Sequence, residues 1–231
     1  MAANENILEL ANINKSYPEG SELRPAMVLK GLDLEVQPGE ALAVVGPSGC
    51  GKSTLLNVAG GLDRPDLGTV TFDSRDLDGL TESELAEVRN QQFGFIFQEH
   101  HLLPQCTVLE NVLIPTLAGH GASQSPSRRR DRARELLGTV CLDDRLNAFP
   151  AELSGGERQR VAAVRAFINE PRIVFADEPT GALDRQTAEN LARLMRRLQA
   201  DEETTLLVVT HASWLAEQMD RVLELRNGKL A

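Results

Sequence analysis

Ala41-Leu-Ala-Val-Val45 runs directly into Gly46-Pro-Ser-Gly-Cys-Gly-Lys52-Ser53. The apolar run predicts a strand that is buried on both faces, and Thr54 onward predicts the start of a helix. Glycines let the backbone between them turn tightly, so that successive N–H groups point at phosphate oxygens. The N-terminus of the following helix adds a partial positive charge. The stretch therefore predicts a phosphate-binding loop between a buried strand and a helix.

Two side chains of this predicted loop have specific tasks. Lys52 is expected to reach the β- and γ-phosphates of a nucleotide, and the Ser53 hydroxyl is expected to ligate Mg²⁺. A glycine turn that matches the pattern by chance is the alternative, and the flanking strand and helix patterns disfavour it. The expected nucleotide-binding residues of this region are Gly46, Pro47, Ser48, Gly49, Cys50, Gly51, Lys52, Ser53 and Thr54.

A second glycine-containing element, Leu153-Ser-Gly-Gly-Glu157-Arg-Gln159, precedes another predicted helix. Ser154 and Glu157 have the spacing of a capping box, in which each residue satisfies a backbone N–H of the other. Glycines are poor choices for capping alone, because they lose more conformational entropy on folding than other residues. The pattern therefore favours a second anion site made by exposed N–H groups at a helix N-terminus, and capping alone is the alternative.

An acidic pair follows a short buried-strand pattern, Arg172-Ile-Val-Phe-Ala176. Ligands of open α/β sheets bind at the carboxyl ends of the strands, which is where Asp177 and Glu178 are expected. Asp177 is expected to hold Mg²⁺, and Glu178 to face the γ-phosphate and polarise an attacking water. A turn or helix start without a catalytic role is the alternative for the pair.

His211 directly follows a buried-strand pattern, Thr205-Leu-Leu-Val-Val-Thr210. Its ring is therefore expected at the same sheet edge as Asp177, where it could donate a hydrogen bond to the γ-phosphate. A structural histidine is the alternative. Gln98 similarly ends the strand pattern Phe93–Phe97, and a plain surface glutamine is the alternative there.

Changes in hydrophobic periodicity divide the chain. Residues 1–98 predict short strands joined by turns, with a helix after Lys52, and residues 108–169 predict helices. Strands and helices alternate again from Ile173 to Met219. Loop material between the helices is predicted at 119–121 and 123–127. The sequence thus predicts a nucleotide-binding α/β core with an inserted helical subdomain.

The motifs occur in the order and spacing of ABC-type ATPases, so the chain resembles the nucleotide-binding subunit of an ABC transporter over essentially all 231 residues. The motifs that carry the resemblance are the phosphate loop 46–53, Gln98, Leu153–Gln159, Asp177-Glu178, Gly181-Ala-Leu-Asp184 and His211. More narrowly, the chain is similar to the lipoprotein-releasing, macrolide-export and cell-division ATPases. The segments behind this narrower likeness are Gly60–Asp63, Phe93–Gln98, Leu102–Pro104, Leu109–Val112 and Phe175–Gly181.

This resemblance implies the fold, the reaction and the cofactors. The fold class is α/β, a P-loop NTPase core with a parallel sheet, an antiparallel β subdomain and an inserted α-helical subdomain. Together these form one ABC ATPase domain, with residues 1–98 and 171–231 as the nucleotide-binding core and about 99–170 as the helical part. The reaction is hydrolysis of ATP with Mg²⁺, in which Glu178 is the general base and His211 and Lys52 stabilise charge on the γ-phosphate. The Mg²⁺ ligands are Ser53, Gln98 and Asp177, and Gln98 also touches the attacking water.

The resemblance also implies the assembly. Two copies form a head-to-tail homodimer, in which the phosphate loop of one copy and Ser154, Gly155, Gly156 and Glu157 of the other enclose each ATP. Asp184 lies at the seam of this dimer, and Tyr17 stacks on adenine. A transmembrane permease subunit is the expected partner, for lipoprotein release, export or mechanotransmission. The alternative function is a regulatory ATPase module that activates a periplasmic hydrolase through its membrane partner without transport.

Composition agrees with this interpretation and sets limits. The net charge of −10 argues against nucleic acid as a partner and against direct anchoring on anionic lipid. No apolar run approaches the roughly 18 residues of a membrane span, and the polar start Met1–Asn6 is unlike a signal peptide. The expected location is therefore cytoplasmic, peripheral on the cytoplasmic face of the inner membrane.

Overall fold

The computed structural model describes residues 6–18, 25–118 and 125–231. The chain divides into two compact units, residues 1–86 with 205–231 as the first and residues 87–204 as the second. The polar start before Asn6, the loop predicted at 119–121, and positions 123 and 124 lie outside the described residues. The predicted single-domain organisation stays a prediction.

An antiparallel sheet forms one part of the first unit. Its strands lie in the order β2, β1, β4, β5, and their bounds are Leu8–Tyr17 (β1), Ala26–Val36 (β2), Leu67–Phe72 (β4) and Arg75–Asp76 (β5). Leu8 of β1 lies opposite Val36 on one side and Phe72 on the other. Leu8, Leu10 and Ile13 are all buried, so one face of β1 contributes to the core.

A parallel arrangement forms the other part of the first unit. Strand β3 (Ala41–Val45) pairs in parallel with both β8 (Thr205–Thr210) and β9 (Arg221–Arg226), and β10 (Lys229–Leu230) runs antiparallel to β9. Val45 lies opposite Thr210 and Glu224, so the three strands end at one edge. Helix α1 (Lys52–Ala59) follows β3, and the short helix α7 (Ser213–Ala216) follows β8.

The second unit combines two parallel strands with helices. Strand β6 (Phe93–Ile96) pairs with β7 (Ile173–Asp177), and Ile96 lies opposite Ala176. The helices are α3 (Val108–Leu113), α4 (Pro126–Thr139), α5 (Gly155–Phe167) and α6 (Arg185–Asp201), with 3-10 turns at Ile114–Leu117 and Pro150–Glu152. Helix α5 packs against β6, α3, α4 and α6.

The structure confirms the strands predicted from continuous apolar runs and corrects one region. Strands β3 and β8 have the predicted bounds. Residues 1–98, however, contain a second helix, α2 (Glu82–Gln92), which the sequence pattern did not predict. Its start is fixed by a reciprocal cap, since Glu84 accepts from the Thr81 backbone N–H at 2.9 Å and Thr81 Oγ1 accepts from the Glu84 N–H at 3.3 Å. In the described ranges, none of the helices is long and apolar enough to cross a bilayer.

Candidate functional site

The predicted phosphate loop connects β3 to α1 in the first unit, and neither Gly46 nor Gly51 in it can be replaced without strain. Gly51 has a φ of +107°, and a Cβ there would lie 2.8 Å from Cγ1 of Val28. At Gly46 a Cβ would lie 2.5 Å from the carbonyl oxygen of Leu225. The loop backbone therefore passes close to β2 and β9, at distances that only glycine allows.

Lys52 places a positive charge inside this loop. Its side chain is buried, and its ammonium donates to the carbonyl oxygens of Gly46 at 2.9 Å and Pro47 at 3.2 Å. Gly51 is the N-cap of helix α1, and no side chain makes a capping hydrogen bond there. The loop thus joins an ammonium to a helix N-terminus, and both favour an anion. Pro47, Ser48, Gly49 and Ser53 are exposed, and Thr54 is half-buried.

Two clefts border the loop in the first unit. One, of about 630 Å³, is lined by residues 47–50 together with parts of β2 and the β9–β10 hairpin. The other, of about 500 Å³, is lined by Gly46 and Pro47 together with His211 and Glu217. His211 is exposed in this second cleft, because β3 and β8 end side by side. Within the first unit, the fold therefore brings His211 to the start of the phosphate loop.

Tyr17 lies at the end of β1 and is tied to residues that sequence reasoning did not assign to the site. Its hydroxyl donates to Asp63 Oδ2 at 2.6 Å, and Lys15 Nζ donates to Asp63 Oδ1 at 2.7 Å. The strand alternation of Lys15 and Tyr17 could have indicated that their side chains share one face. No sequence signal connects Asp63, in the turn after α1, to either of them.

The signature element of the second unit, Ser154 to Glu157, is a complete capping box. Ser154 Oγ accepts from the Glu157 N–H at 3.3 Å, and Glu157 Oε2 accepts from the Ser154 N–H at 2.8 Å and from its hydroxyl at 2.6 Å. The hydrogen bond from the Ser154 hydroxyl, followed by that from its N–H, holds the pKa of Glu157 below its ordinary value. Capping is thus present at this helix start.

The two glycines of the signature differ in their surroundings. A Cβ on Gly156 would lie 2.3 Å from Cγ2 of Thr187, whereas a Cβ on Gly155 would meet nothing closer than 3.9 Å. Gly156 is therefore needed for packing against α6, a reason that the sequence interpretation did not include. Ser154 and Gly155 are exposed at the start of α5.

The acidic pair and Gln98 lie at neighbouring strand ends in the second unit. Asp177 is the last residue of β7, and both it and Glu178 are half-buried. Glu178 has a φ of +43°, an uncommon conformation for a residue with a side chain. A Cβ on Gly181 would lie 3.1 Å from Nε2 of Gln98, so the exposed Gln98 side chain lies against the loop that follows the acidic pair.

Two further contacts in the second unit involve Gln159 of helix α5 and Asp184 at the start of helix α6. The buried Gln159 side chain donates to the carbonyl of Phe97 at 2.7 Å, directly before Gln98. Asp184 caps α6 by accepting from the Thr187 N–H at 3.0 Å and from its hydroxyl at 2.6 Å. The Thr187 hydroxyl, followed by its N–H, holds the pKa of Asp184 below its ordinary value. Neither contact was predicted, and only the spacing of Asp184 and Thr187 carried a capping signal.

The predicted site residues therefore form one set in each unit. The first unit holds Tyr17, residues 46–54 and His211, and the second holds Gln98, 154–157, Asp177, Glu178 and Asp184. Across the part of the chain that the structure describes, no three His, Cys, Asp or Glu side chains are grouped as for a metal ion. The predicted Mg²⁺ ligands include only one carboxylate, Asp177.

Comparison with known proteins identifies the family of the chain. A family model described as "ABC transporter" matches residues 29–181. The lipoprotein-releasing system ATP-binding protein LolD of Pseudomonas syringae pv. tomato is 50% identical over 224 residues, which cover 97% of this chain and 96% of that protein. LolD 1 of Rhodopirellula baltica is 49% identical over 225 residues, with coverage of 97% and 96%.

A solved structure extends the comparison to the fold. The dimeric post-hydrolysis state of the ATP-binding cassette MJ0796, bound to ADP and Pi, superposes with a TM-score of 0.86 at 39% identity, covering 96% of each chain. The predicted α/β fold class, with its parallel strands, antiparallel sheet and helical part, is thereby confirmed.

Proposed function

The chain belongs to the ABC transporter family, as an ATP-binding subunit that hydrolyses ATP, and from this premise we propose that it drives lipoprotein release through a transmembrane permease subunit. The relatives at about half identity carry lipoprotein release in their names. Their length matches that of this chain almost completely, which supports the same task for the whole chain.

The observation that carries the nucleotide site is the environment of Lys52. Its ammonium is buried in the loop and donates to the carbonyls of Gly46 and Pro47. It lies at the N-terminus of helix α1, which has no side-chain cap. Phosphate oxygens are stronger acceptors for an ammonium than neutral carbonyls, because they carry charge. We therefore assign the β- and γ-phosphates of ATP to Lys52 and to the N–H groups of residues 48–54.

We assign Mg²⁺ to Ser53, Gln98 and Asp177. A hydroxyl, an amide carbonyl and a carboxylate are oxygen donors of the kind that Mg²⁺ takes, with phosphates completing its shell. The donor set therefore fits the ion. When bound, Mg²⁺ would neutralise charge on the phosphates.

The proposed catalytic residues act on the γ-phosphate and its attacking water. Glu178 orients and deprotonates the water, and its position directly after β7, ahead of the loop that the Gln98 side chain contacts at Gly181, supports this role. His211, at the start of the phosphate loop, donates to the γ-phosphate together with Lys52. Tyr17 provides a ring for adenine.

We further propose a head-to-tail dimer and a membrane partner. In that dimer Ser154, Gly155, Gly156 and Glu157 approach the ATP held by the other copy, and Asp184 lies at the seam. The exposure of Ser154 and Gly155 supports this assignment, and the MJ0796 cassette is dimeric. Since a charge of −10 disfavours direct binding to anionic lipid, attachment to the cytoplasmic face of the inner membrane runs through the permease.

Depletion of this chain from its host cell tests the proposal. Spheroplasts that lack this chain are supplied with the parent or with Glu178→Gln, and the transfer of a tagged lipoprotein from the inner membrane to a soluble acceptor is measured. We expect release with the parent and retention with the variant. Normal release in depleted cells would contradict the proposal, and unchanged release with lost envelope hydrolase activity would favour the regulatory alternative.

A further inference from the structure

A four-residue network in the first unit surrounds the hydroxyl of Tyr17. Asp63 accepts from the Tyr17 hydroxyl at 2.6 Å with one carboxylate oxygen and from Lys15 Nζ at 2.7 Å with the other. Lys15 also donates to the carbonyl of Arg64 at 2.7 Å, and Asp63 accepts from the Arg64 N–H at 2.8 Å. Both carboxylate oxygens of Asp63 are therefore used, and the turn after α1 is fastened to β1.

Lys15 of the same network also contacts the Tyr17 ring. Lys15 and Tyr17 are two residues apart on β1, so their side chains share one face of the strand. The Lys15 ammonium lies 5.2 Å from the centroid of the ring, a cation–π contact on one face. Tyr17 is half-buried, so part of its side chain remains accessible to a flat ligand.

The hydroxyl also connects the ring to the phosphate loop. The Thr54 side chain interacts with the Tyr17 hydroxyl, and Thr54 is the third residue of α1, directly after Ser53. Tyr17 is thus held between the end of α1, through Asp63, and its first turn, through Thr54. This connection keeps the ring at a fixed distance from the residues assigned to the phosphates.

We infer that Asp63 is a positioning residue, which holds the Tyr17 ring where adenine stacks while the phosphates occupy the loop. The inference rests on the proposed ATP site. An unanchored tyrosine would rotate among side-chain conformers, and ordering it on binding would reduce affinity. A hydrogen bond to a carboxylate is stronger than one between neutral groups, so it suits this task.

Ionisation in the network is consistent with this geometry. Partial burial, and next the hydrogen bond to Asp63, raise the pKa of Tyr17, so the hydroxyl stays a donor. Desolvation opposes ionisation of Asp63, but the hydrogen bonds from Lys15 and Tyr17 outweigh it and hold its pKa below the ordinary value. Tyr17 is the only tyrosine of the chain, so its absorbance reports this contact without interference.

The first test is a double-mutant cycle on nucleotide binding. Asp63→Ala and Tyr17→Phe are each expected to raise Kd for Mg-ATP about threefold to tenfold, which is the range for the loss of one ordinary intramolecular hydrogen bond. The double variant should have a Kd for Mg-ATP no higher than that of the weaker-binding single variant, since both changes remove the same contact. Inorganic tripolyphosphate, which has no base, should bind all four proteins equally. The inference would be overturned if the increases in Kd of the two single variants multiplied in the double variant. It would also be overturned if the variants lost as much affinity for tripolyphosphate as for Mg-ATP.

The second test follows the tyrosinate absorbance with pH. Asp63→Asn keeps an oxygen acceptor and removes the charge, so ionisation of Tyr17 should move to lower pH. Asp66→Asn is the matched control, because Asp66 accepts from Ser16 at 2.6 Å and makes no hydrogen bond to Tyr17. Asp66→Asn should shift the ionisation of Tyr17 less than Asp63→Asn does. An equal shift in both variants, or none in Asp63→Asn, would contradict the anchoring role.

The controls separate two kinds of failure. If the parent binds neither Mg-ATP nor tripolyphosphate, the proposed nucleotide site itself is wrong. If the parent binds both and Asp63→Ala binds both equally well, only the positioning role fails. Asp63→Glu should restore part of the ATP affinity, because it returns a carboxylate, and thermal unfolding of each variant identifies any change that merely disrupts the fold.

Discussion

Helices α1 and α5 both begin at glycine-rich sequence, and both helix starts were predicted to bind phosphate. Their N-termini differ in the structure. Helix α1 has Gly51 as its N-cap, with no capping side chain, and has the Lys52 ammonium beside it, whereas Ser154 and the Glu157 carboxylate cap α5. The N-terminus of α1 therefore favours an anion by itself. At α5 the Glu157 N–H already donates to Ser154 Oγ, and the negative charge of the Glu157 carboxylate lies near the exposed Gly155.

Because of this difference, we expect different residues to control the affinity for ATP and the rate of its hydrolysis. We expect residues of the first unit to determine how tightly ATP binds to a single copy of the chain. The signature residues of the second unit should matter when another copy brings its nucleotide to them, and Glu178 should matter for the rate of hydrolysis.

The largest expected effect is on turnover in Glu178→Gln. A base that positions and deprotonates water contributes about 10²–10⁴ to the rate, so the variant should lose that factor in steady-state ATP hydrolysis. Its Kd for Mg-ATP should stay within about twofold of the parent's, because glutamine keeps the size and leaves the first unit unchanged. Turnover within about threefold of the parent would remove Glu178 from the mechanism.

A large effect on affinity is expected in Lys52→Met, which keeps the apolar stem and removes the ammonium. Loss of charged hydrogen bonds to phosphate should raise Kd for Mg-ATP about 10- to 100-fold in equilibrium binding. Ser154→Ala is the counterpart in the second unit, and it should leave the affinity of the monomer unchanged. Equal losses in the two variants would mean that the α5 start contributes to ATP binding within one copy, against the division.

The parts that the sequence predicted well are those determined by local pattern. Strands β3 and β8 are buried runs bounded by Gly46 and His211, so the residues that end them fell at the expected sheet edge. Helix α2 was missed because it is largely polar, with only Leu85 and Val88 buried, and depends on the Thr81–Glu84 cap for its start. Strand β9 was missed because charged residues interrupt its apolar positions.

The site features that were missed depend on contacts distant in sequence. Asp63 meets Tyr17 across 46 positions, and nothing in either segment indicates the partner. Gly156 is required by Thr187 of another helix, a contact that only the packed structure reveals. The positive φ of Glu178 likewise follows from how the chain leaves β7, since propensity disfavours it there.

A moderate effect on stability separates the two signature glycines. Gly156→Ala would put a Cβ 2.3 Å from Cγ2 of Thr187, a β-branched residue whose hydroxyl is already bonded to Asp184. Overpacking of this kind should lower the free energy of unfolding by about 1–3 kcal/mol in urea denaturation. Gly155→Ala is the matched control and should be neutral or slightly stabilising, because the site has room and alanine favours helix. Thr187→Ser, which removes Cγ2 and keeps the hydroxyl, should rescue Gly156→Ala; without rescue, the packing explanation for Gly156 fails.

The smallest expected effect concerns the carboxylate that distinguishes the α5 start. The pKa of Glu157 lies below its ordinary value of 4.5 because of the hydrogen bonds from Ser154. A depressed pKa means that Glu157 stabilises the folded state fully above the ordinary value and loses this contribution as pH falls through the folded-state pKa. Glu157→Gln keeps an acceptor without charge, so it should cost about 0.5 kcal/mol at neutral pH, as for a charge at a helix N-terminus. The difference from the parent should vanish under acid conditions, measured as the free energy of unfolding across pH.

Glu135→Gln, at an exposed position of α4, serves as the control and should show no such convergence. A Glu157→Gln difference that persists in acid would mean that the carboxylate does not act through its charge, and the contrast between the two helix starts would then rest on Lys52 alone.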